Sequence, residues 1–321
     1  MPGSGTSNFF DPDQYEESLR RAQIQTIITC GAGFNARLTW AELHHLQLLR
    51  CEEDLPRIGY VSLPPRLAWI SFPAHSGRLP VWRGTELQAG DIMFHSRGDR
   101  LHQATRGPSI WSAIALDPVQ LGEYGRVLFG KPLSPPPKAR VLRPSARDAA
   151  RLRRLHAQAC RLAETKSKIL THPEVARAIE QDLIHALVTC LATAEVEEQR
   201  AAKRHHALIM SRFEGVLAEH LSRPLSMPEL CELIGVGHRT LRSCCAEFLG
   251  ISPTRYVLLR RLKQVRRALR DGDPNMANVA GLAGCYGFTQ LGRFAAVYRA
   301  VFGENPSTTL GRAPKIRFSG P

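Results

Sequence analysis

The sequence predicts an α+β chain of two domains, β-rich at its N-terminal end and all-helical at its C-terminal end. Three observations carry this. Short apolar runs separated by turn formers fill the first part, helical periodicity takes over after a proline-rich stretch, and one helix-turn-helix pattern occurs twice near the end. A length of 321 residues suits two domains, and a hydrophobic fraction of 43% supplies material for two cores.

The N-terminal part is expected to be an antiparallel barrel or sandwich. Leu46 to Leu49, Ile58 to Leu63, Leu67 to Phe72, Asp91 to His95 and Ile110 to Leu116 read as strands. The turn formers between them are Leu63 to Arg66, His75 to Gly77, Ala89 to Asp91 and Arg106 to Ser109. All four tryptophans, Trp40, Trp69, Trp82 and Trp111, fall in this part. They are candidates either for the walls of an apolar effector pocket or for core positions.

Pro132 to Pro137 reads as a stiff extended linker that ends the β-rich domain, placed at 1–138. A helical pair and linker follow at 139–204. Leu152, Leu155, Ala159 and Leu162 mark one helix, and Val175, Ile179, Leu183 and Leu187 mark a second, opened by Pro173. Their apolar stripes need cover, from the sheet, from a second copy of the chain, or from both.

The segment 205–312 holds the repeat. Leu230-Cys231-Glu232-Leu233-Ile234-Gly235-Val236 aligns with Leu282-Ala283-Gly284-Cys285-Tyr286-Gly287-Phe288. Further on, Leu241, Cys245, Phe248, Leu249, Gly250 and Pro253 align with Phe294, Tyr298, Val301, Phe302, Gly303 and Pro306. Each unit reads as helix, tight turn, helix. Ser226-Met-Pro-Glu229 is a capping box, Leu230, Leu233 and Ile234 are expected to point inward, and Gly235 and Gly287 end their helices where a left-handed conformation is needed. The second helices are expected over His238 to Leu249 and Gln290 to Phe302.

A long helix from Pro253 to Asp271 joins the units, with Leu258, Leu262, Val265 and Leu269 as its buried stripe and seven cations on its other faces. About 18 residues of helix span ~27 Å, a strut suited to setting two helices about one DNA turn, ~34 Å, apart. A basic tail, 313–321, closes the chain.

Charge points the same way. The net charge is +14; residues 205–321 hold 16 Lys and Arg against 8 Asp and Glu, and residues 1–204 hold 27 against 21. The shorter segment carries the denser positive field, which favours a polyanion. The eight cysteines are scattered without a CxxC pair and read as small buried hydrophobes, so no metal and no cofactor is expected. No run approaches the ~18 apolar residues of a membrane span, and Met1 to Asp11 lacks the marks of a secretory signal, so a cytoplasmic location without membrane contact is expected.

Over about residues 205–312 the chain resembles the AraC/XylS family of bacterial transcription regulators. The residues that carry the resemblance are Leu230-Cys231, Gly235-Val236, Arg239-Thr-Leu241, Leu249-Gly-Ile-Ser-Pro253, Tyr256, Arg261-Leu262, Gly287-Phe288, Phe294, Phe302-Gly303 and Asn305-Pro306. The phrase from Gly287 to Phe294, with Tyr298-Arg299 and Phe302 to Ser307, looks like the subgroup of the ethanolamine-operon regulator. Gly237 stands where the family has a serine cap, Cys245 where it has phenylalanine, and Ala296 where it often has arginine.

The resemblance implies a sequence-specific DNA-binding regulator, an activator or a repressor, with a cupin-like N-terminal sensing domain and two helix-turn-helix units. It implies double-stranded DNA and a small-molecule effector as partners, a homodimer, and RNA polymerase where the protein activates. Base readout would fall to His238, Arg239, Arg242 and Ser243 in the first unit and to Gln290, Leu291 and Arg293 in the second, where Gly292 and Ala296 share the face. Thr240, Thr289 and Arg266 would hold phosphate.

Two other classes are weighed. A metal-dependent cupin-type enzyme would draw ligands from His44, His45, His75, His95 and His102, but the sequence has no HxH and only Asp99 between His95 and His102, so it is read as not an enzyme. A non-specific nucleic-acid-binding protein would need no pair of capped, glycine-jointed helix units.

Overall fold

The computed structural model describes residues 2–19, 22–31, 33–74, 79–197, 201–220, 225–273 and 277–312. His75 and the tail 313–321 lie outside the described residues. The chain forms two compact units. The first comprises 1–26, 34–55 and 59–199, and the second comprises 200–321 with the short segments 27–33 and 56–58.

The strands of the first part are β1 (Gly3–Phe9), β2 (Gln23–Ile28), β3 (Ala36–Glu42), β4 (Gln47–Glu53), β5 (Arg57–Ser62), β6 (Ala68–Pro73), β7 (Val81–Trp82), β8 (Thr85–Glu86), β9 (Ile92–Phe94), β10 (Arg100–Ala104), β11 (Ser109–Leu116), β12 (Arg140–Arg143) and β13 (Glu195–Val196). They build one sheet of order β1-β3-β4-β11-β6-β9-β12-β13 and another of order β2-β5-β10-β7-β8. Every neighbouring pair in the larger sheet is antiparallel.

The first unit also holds the helices α1 (Pro12–Ser18), α2 (Pro118–Phe129), α3 (Ala146–Thr165), α4 (Ser167–Leu170) and α5 (Pro173–Thr193). The centre of the larger sheet is buried on both faces. Along β6, Ala68, Ile70 and Phe72 join the apolar core shared with Leu152 and Ala159 of α3 and Leu183 and Leu187 of α5. Trp69 and Ser71, alternating with them, line a cavity with residues of the smaller sheet. Burial from both sides explains why this strand reads as a continuous apolar run instead of an alternating one. A buried carboxylate ties α5 down: Glu180 accepts the backbone N–H groups of His45 and Leu46 at 2.8 and 3.2 Å.

The proline stretch does not end the β structure. After it, β12 pairs with β9 and β13, so the helical pair expected as a separate segment at 139–204 belongs to the first unit. The two helices pack on the sheet. The sequence pattern missed β1, β2, β3, β10 and β12, which are short or carry alternating or polar residues, and the two-residue strands β7, β8 and β13.

The second unit contains α6 (Ala201–Glu219), α7 (Met227–Ile234), α8 (His238–Leu249), α9 (Pro253–Asp271), α10 (Val279–Cys285), α11 (Leu291–Phe302) and α12 (Pro306–Gly311). Among the described residues no helix is long and apolar enough to cross a membrane.

Candidate nucleic-acid interface

The first helix-turn-helix is α7 and α8. Ser226 and Glu229 form the capping box: Glu229 N–H donates to Ser226 Oγ at 3.4 Å and Ser226 N–H to Glu229 Oε2 at 2.8 Å. Leu230 and Ile234 turn inward, but Leu233 is 53% exposed, against the sequence expectation. Three residues separate Leu230 from Leu233, and the buried stripe of so short a helix runs along the four-residue spacing to Ile234 instead.

The duplication is visible in the hydrogen bonds of the turns. Gly235 and Gly287 adopt φ of 77° and 75°. Val236 N–H donates to Cys231 O at 3.0 Å, and Phe288 N–H donates to the equivalent Ala283 O at 3.0 Å. Both are the six-to-one bond that closes a helix on a left-handed residue. Gly250 and Gly303 also take left-handed φ, 71° and 73°, and close α8 and α11 by five-to-one bonds to Ala246 O and Arg299 O at 3.2 and 2.9 Å.

Each second helix has a buried face and an open one. In α8, Leu241, Cys244, Cys245, Phe248 and Leu249 are buried. His238, Arg239, Arg242 and Ser243 are exposed on the other side. In α11, Phe294, Tyr298 and Val301 are buried, while Leu291, Gly292, Arg293 and Ala296 are exposed, with Gln290 as the N-cap residue. Gly237 caps α8 without a side-chain hydrogen bond, so the first amides of that helix have no side-chain partner from the cap. Thr240 is half-buried in the first turn of α8, and Thr289 is exposed just before α11. Every residue expected to read bases therefore lies on an open helix face.

Arg266 does not lie there. It is buried, 3.7 Å from Glu304, with its guanidinium 5.0 Å from the centre of the Phe302 ring. It ties α9 to the end of α11, which removes it as a phosphate ligand. Two other arginines of α9 are spent in the same way. Arg260 pairs with buried Glu214 of α6, which also accepts the Tyr256 hydroxyl at 2.6 Å. Burial opposes the charge of Arg260, but Glu214 outweighs it and holds the guanidinium above its ordinary range. Burial followed by the same carboxylate pushes Tyr256 well above its usual value, so it stays a donor. Arg261 donates to Tyr286 O at the end of α10. The α9 stripe is Tyr256, Leu259, Leu262, Val265 and Leu269, with Leu258 only half-buried.

These tethers are the site residues that sequence reasoning missed. Arg266 follows Val265 and precedes Leu269 by three residues, which puts it at the margin of the apolar stripe. That spacing was the one signal available for it.

In the first unit, Trp69, Trp82 and Trp111 line a cavity between the two sheets with about 30 Å³ of free space. Trp40 does not. It lies over β1, where a Cβ at Gly5 would come 3.1 Å from its indole ring. Among the described residues no group of three or more His, Cys, Asp or Glu is placed to hold a metal. His95 sits between Ser71 and Asp99, His102 lies 5.0 Å from the Tyr60 ring, and His44 Nε2 is 3.1 Å from Pro173 O.

Comparison with known proteins places the helical unit. Residues 230–312 match the helix-turn-helix domain family. The chain is 37% identical over 99 residues to the XylDLEGF operon transcriptional activator of Pseudomonas putida, 31% of this chain and 31% of that protein. It is 33% identical over 98 residues to the probable thc operon regulatory protein of Rhodococcus erythropolis, 30% of each. The chain thus matches under a third of the length of these curated relatives. The crystal structure of the AraC-like transcriptional activator CuxR overlays 83% of this chain and 96% of its own at a TM-score of 0.39 and 14% identity, too loose an overlay to carry an argument.

Proposed function

We propose that the chain is a sequence-specific DNA-binding transcription regulator of the AraC/XylS type. The observation that carries this is the paired open faces of α8 and α11, each set opposite a buried face in a duplicated scaffold. Arg239 and Arg242 are the principal base readers, with His238 and Ser243 beside them, since arginine can grip guanine with two hydrogen bonds. Gln290 and Arg293 supply the directional contacts of the second unit. Leu291 packs on thymine methyl groups there, and Thr240 and Thr289 hold phosphate.

The name of the Pseudomonas relative, an operon activator, supports activation, with RNA polymerase as a partner. Placement in the ethanolamine-operon subgroup rests on the phrase from Gly287 to Phe294 with Tyr298-Arg299 and Phe302 to Ser307. A small-molecule effector in the cavity between the sheets, and a second copy of the chain on the groove between α3 and α5, complete the reading. Half-buried Leu155, Leu162 and Ile179 line that groove, flanked by Arg161 and Asp182.

Selection of bound sites from a random DNA library, followed by competition binding, tests the reading. A specific regulator prefers its selected site by roughly 10³-fold or more over random DNA. Equal binding to both would refute it.

A further inference from the structure

We infer that the cavity between the two sheets takes a compact, uncharged, largely apolar molecule carrying one hydrogen-bond acceptor, a carbonyl or ether oxygen, read by the indole N–H groups of Trp69 and Trp82. The inference rests on the proposal that the first unit binds an effector, and it names the chemistry of that effector.

The first observation is a contrast among three tryptophans on one cavity. Trp111 donates its ring N–H to Glu53 at 3.1 Å, within a buried network that also receives the Tyr15 hydroxyl at 2.8 Å. Trp69 and Trp82, 3% and 2% exposed, have no hydrogen-bond partner for their ring nitrogens among the described residues. Buried donors are nearly always paired. The fold supplies a carboxylate where an indole N–H is structural, and leaves two others, on tryptophans that line the cavity, without a partner.

Trp82 is placed there by a tight two-residue turn. Arg83 and Gly84 adopt φ of 50° and 73° between the paired residues Trp82 and Thr85, the two positive values of a type I′ hairpin. Arg83 is held in that unfavourable conformation by its ion pair with buried Asp99 and by its N–H bond to His102 O at 3.0 Å.

The second observation is charge. Among the described residues lining the cavity there is no Lys, Arg, Asp or Glu, and His95 is the one titratable group. Its Nδ1 lies 3.1 Å from the Asp99 carboxylate and its Nε2 lies 2.8 Å from Ser71 Oγ. Both ring nitrogens are thus engaged within the protein, by Asp99 and Ser71. Among the described lining residues a carboxylate would meet no counter-charge, which makes its transfer from water unfavourable. A neutral acceptor needs none.

The third observation is size. About 30 Å³ holds one or two waters. The occupant is therefore compact, and a ring enters only with movement of the apolar walls.

The test uses the full chain with Trp40→Phe, which removes the tryptophan outside the cavity, and follows the remaining fluorescence. The probes are cyclopentanone, cyclopentane and cyclopentanecarboxylate. The ketone is expected to bind at least tenfold more tightly than the other two. Trp69→Phe and Trp82→Phe delete the donor and also enlarge the cavity, so the readout is the ratio of ketone to cyclopentane affinity, which each is expected to lower about threefold to tenfold. Cyclopentane binding also reports that each variant has kept its cavity. Tighter or equal binding of the carboxylate or of cyclopentane overturns the inference alone, as does an unaltered ratio in both variants. Silence from all three probes overturns the effector reading as well.

Discussion

Arg261 donates two hydrogen bonds to the carbonyl oxygen of Tyr286, at 2.8 and 2.5 Å, and its guanidinium lies 4.6 Å from the centre of the Phe288 ring. The contact spans the long helix α9 and the end of α10, so it fixes the second helix-turn-helix to the strut. Half-burial holds the guanidinium below its ordinary range without neutralising it. Arg261→Ala is expected to loosen the second unit by about 2–3 kcal/mol, from charge-assisted hydrogen bonds and the ring contact together. Hydrogen exchange checks this: protection should fall in α10 and α11 and hold in α7 and α8.

Arg266→Ala separates a structural cation from a DNA-binding one. Removing it strips a buried partner from Glu304, which keeps Arg312 at 2.9 Å. The expected loss is about 3 kcal/mol of stability. The slope of DNA affinity against salt should not change, since no phosphate contact is lost. A shallower slope would return Arg266 to the interface.

Gly284 lies exposed within α10, and a Cβ there would meet nothing within 4 Å. Its backbone needs no positive φ. Gly284→Ala should therefore stabilise the second unit by about 1 kcal/mol through helix propensity alone. Thermal unfolding measures it, and a lower midpoint would mean that the position is crowded.

His156 is buried in the first unit, 5.3 Å from the Phe72 ring, and burial lowers it from 6.5 to about 4. The unfolded chain therefore binds a proton that the folded chain refuses between those values. Stability from this group is complete above about pH 6.5 and is lost as the pH falls towards 4, on the order of 3 kcal/mol in all. Urea unfolding at pH 7 and pH 4.5, with His156→Gln as the control, should show a difference that the variant lacks.

What could be read from the sequence was local. Ser226 and Glu229, Gly235 and Gly287, and the apolar ladder from Leu241 to Phe248 each announce their structure within a few residues. The bounds of α8 and α9 followed from them. What could not be read depended on distant partners. Nothing around Arg266 or Arg260 names Glu304 or Glu214, so the cations of one helix read as lying off its buried stripe, and Arg266 as a phosphate ligand, when three of them are internal tethers. Trp40 and Trp69 are alike in sequence, yet only Trp69 reaches the cavity, because strand pairing decides which face of the sheet each occupies. The proline stretch misled for the same reason: β12 lies beyond it in sequence and beside β9 in space.

The central claim is that the open face of α8 reads bases. Competition binding of wild-type and Arg242→Ala protein, on the selected site and on random DNA in the same salt, tests it most directly. The variant should lose about 1–3 kcal/mol on the selected site, keep its affinity for random DNA, and relax its preference at one base pair. An equal loss on both DNAs, or no loss on either, would contradict the account.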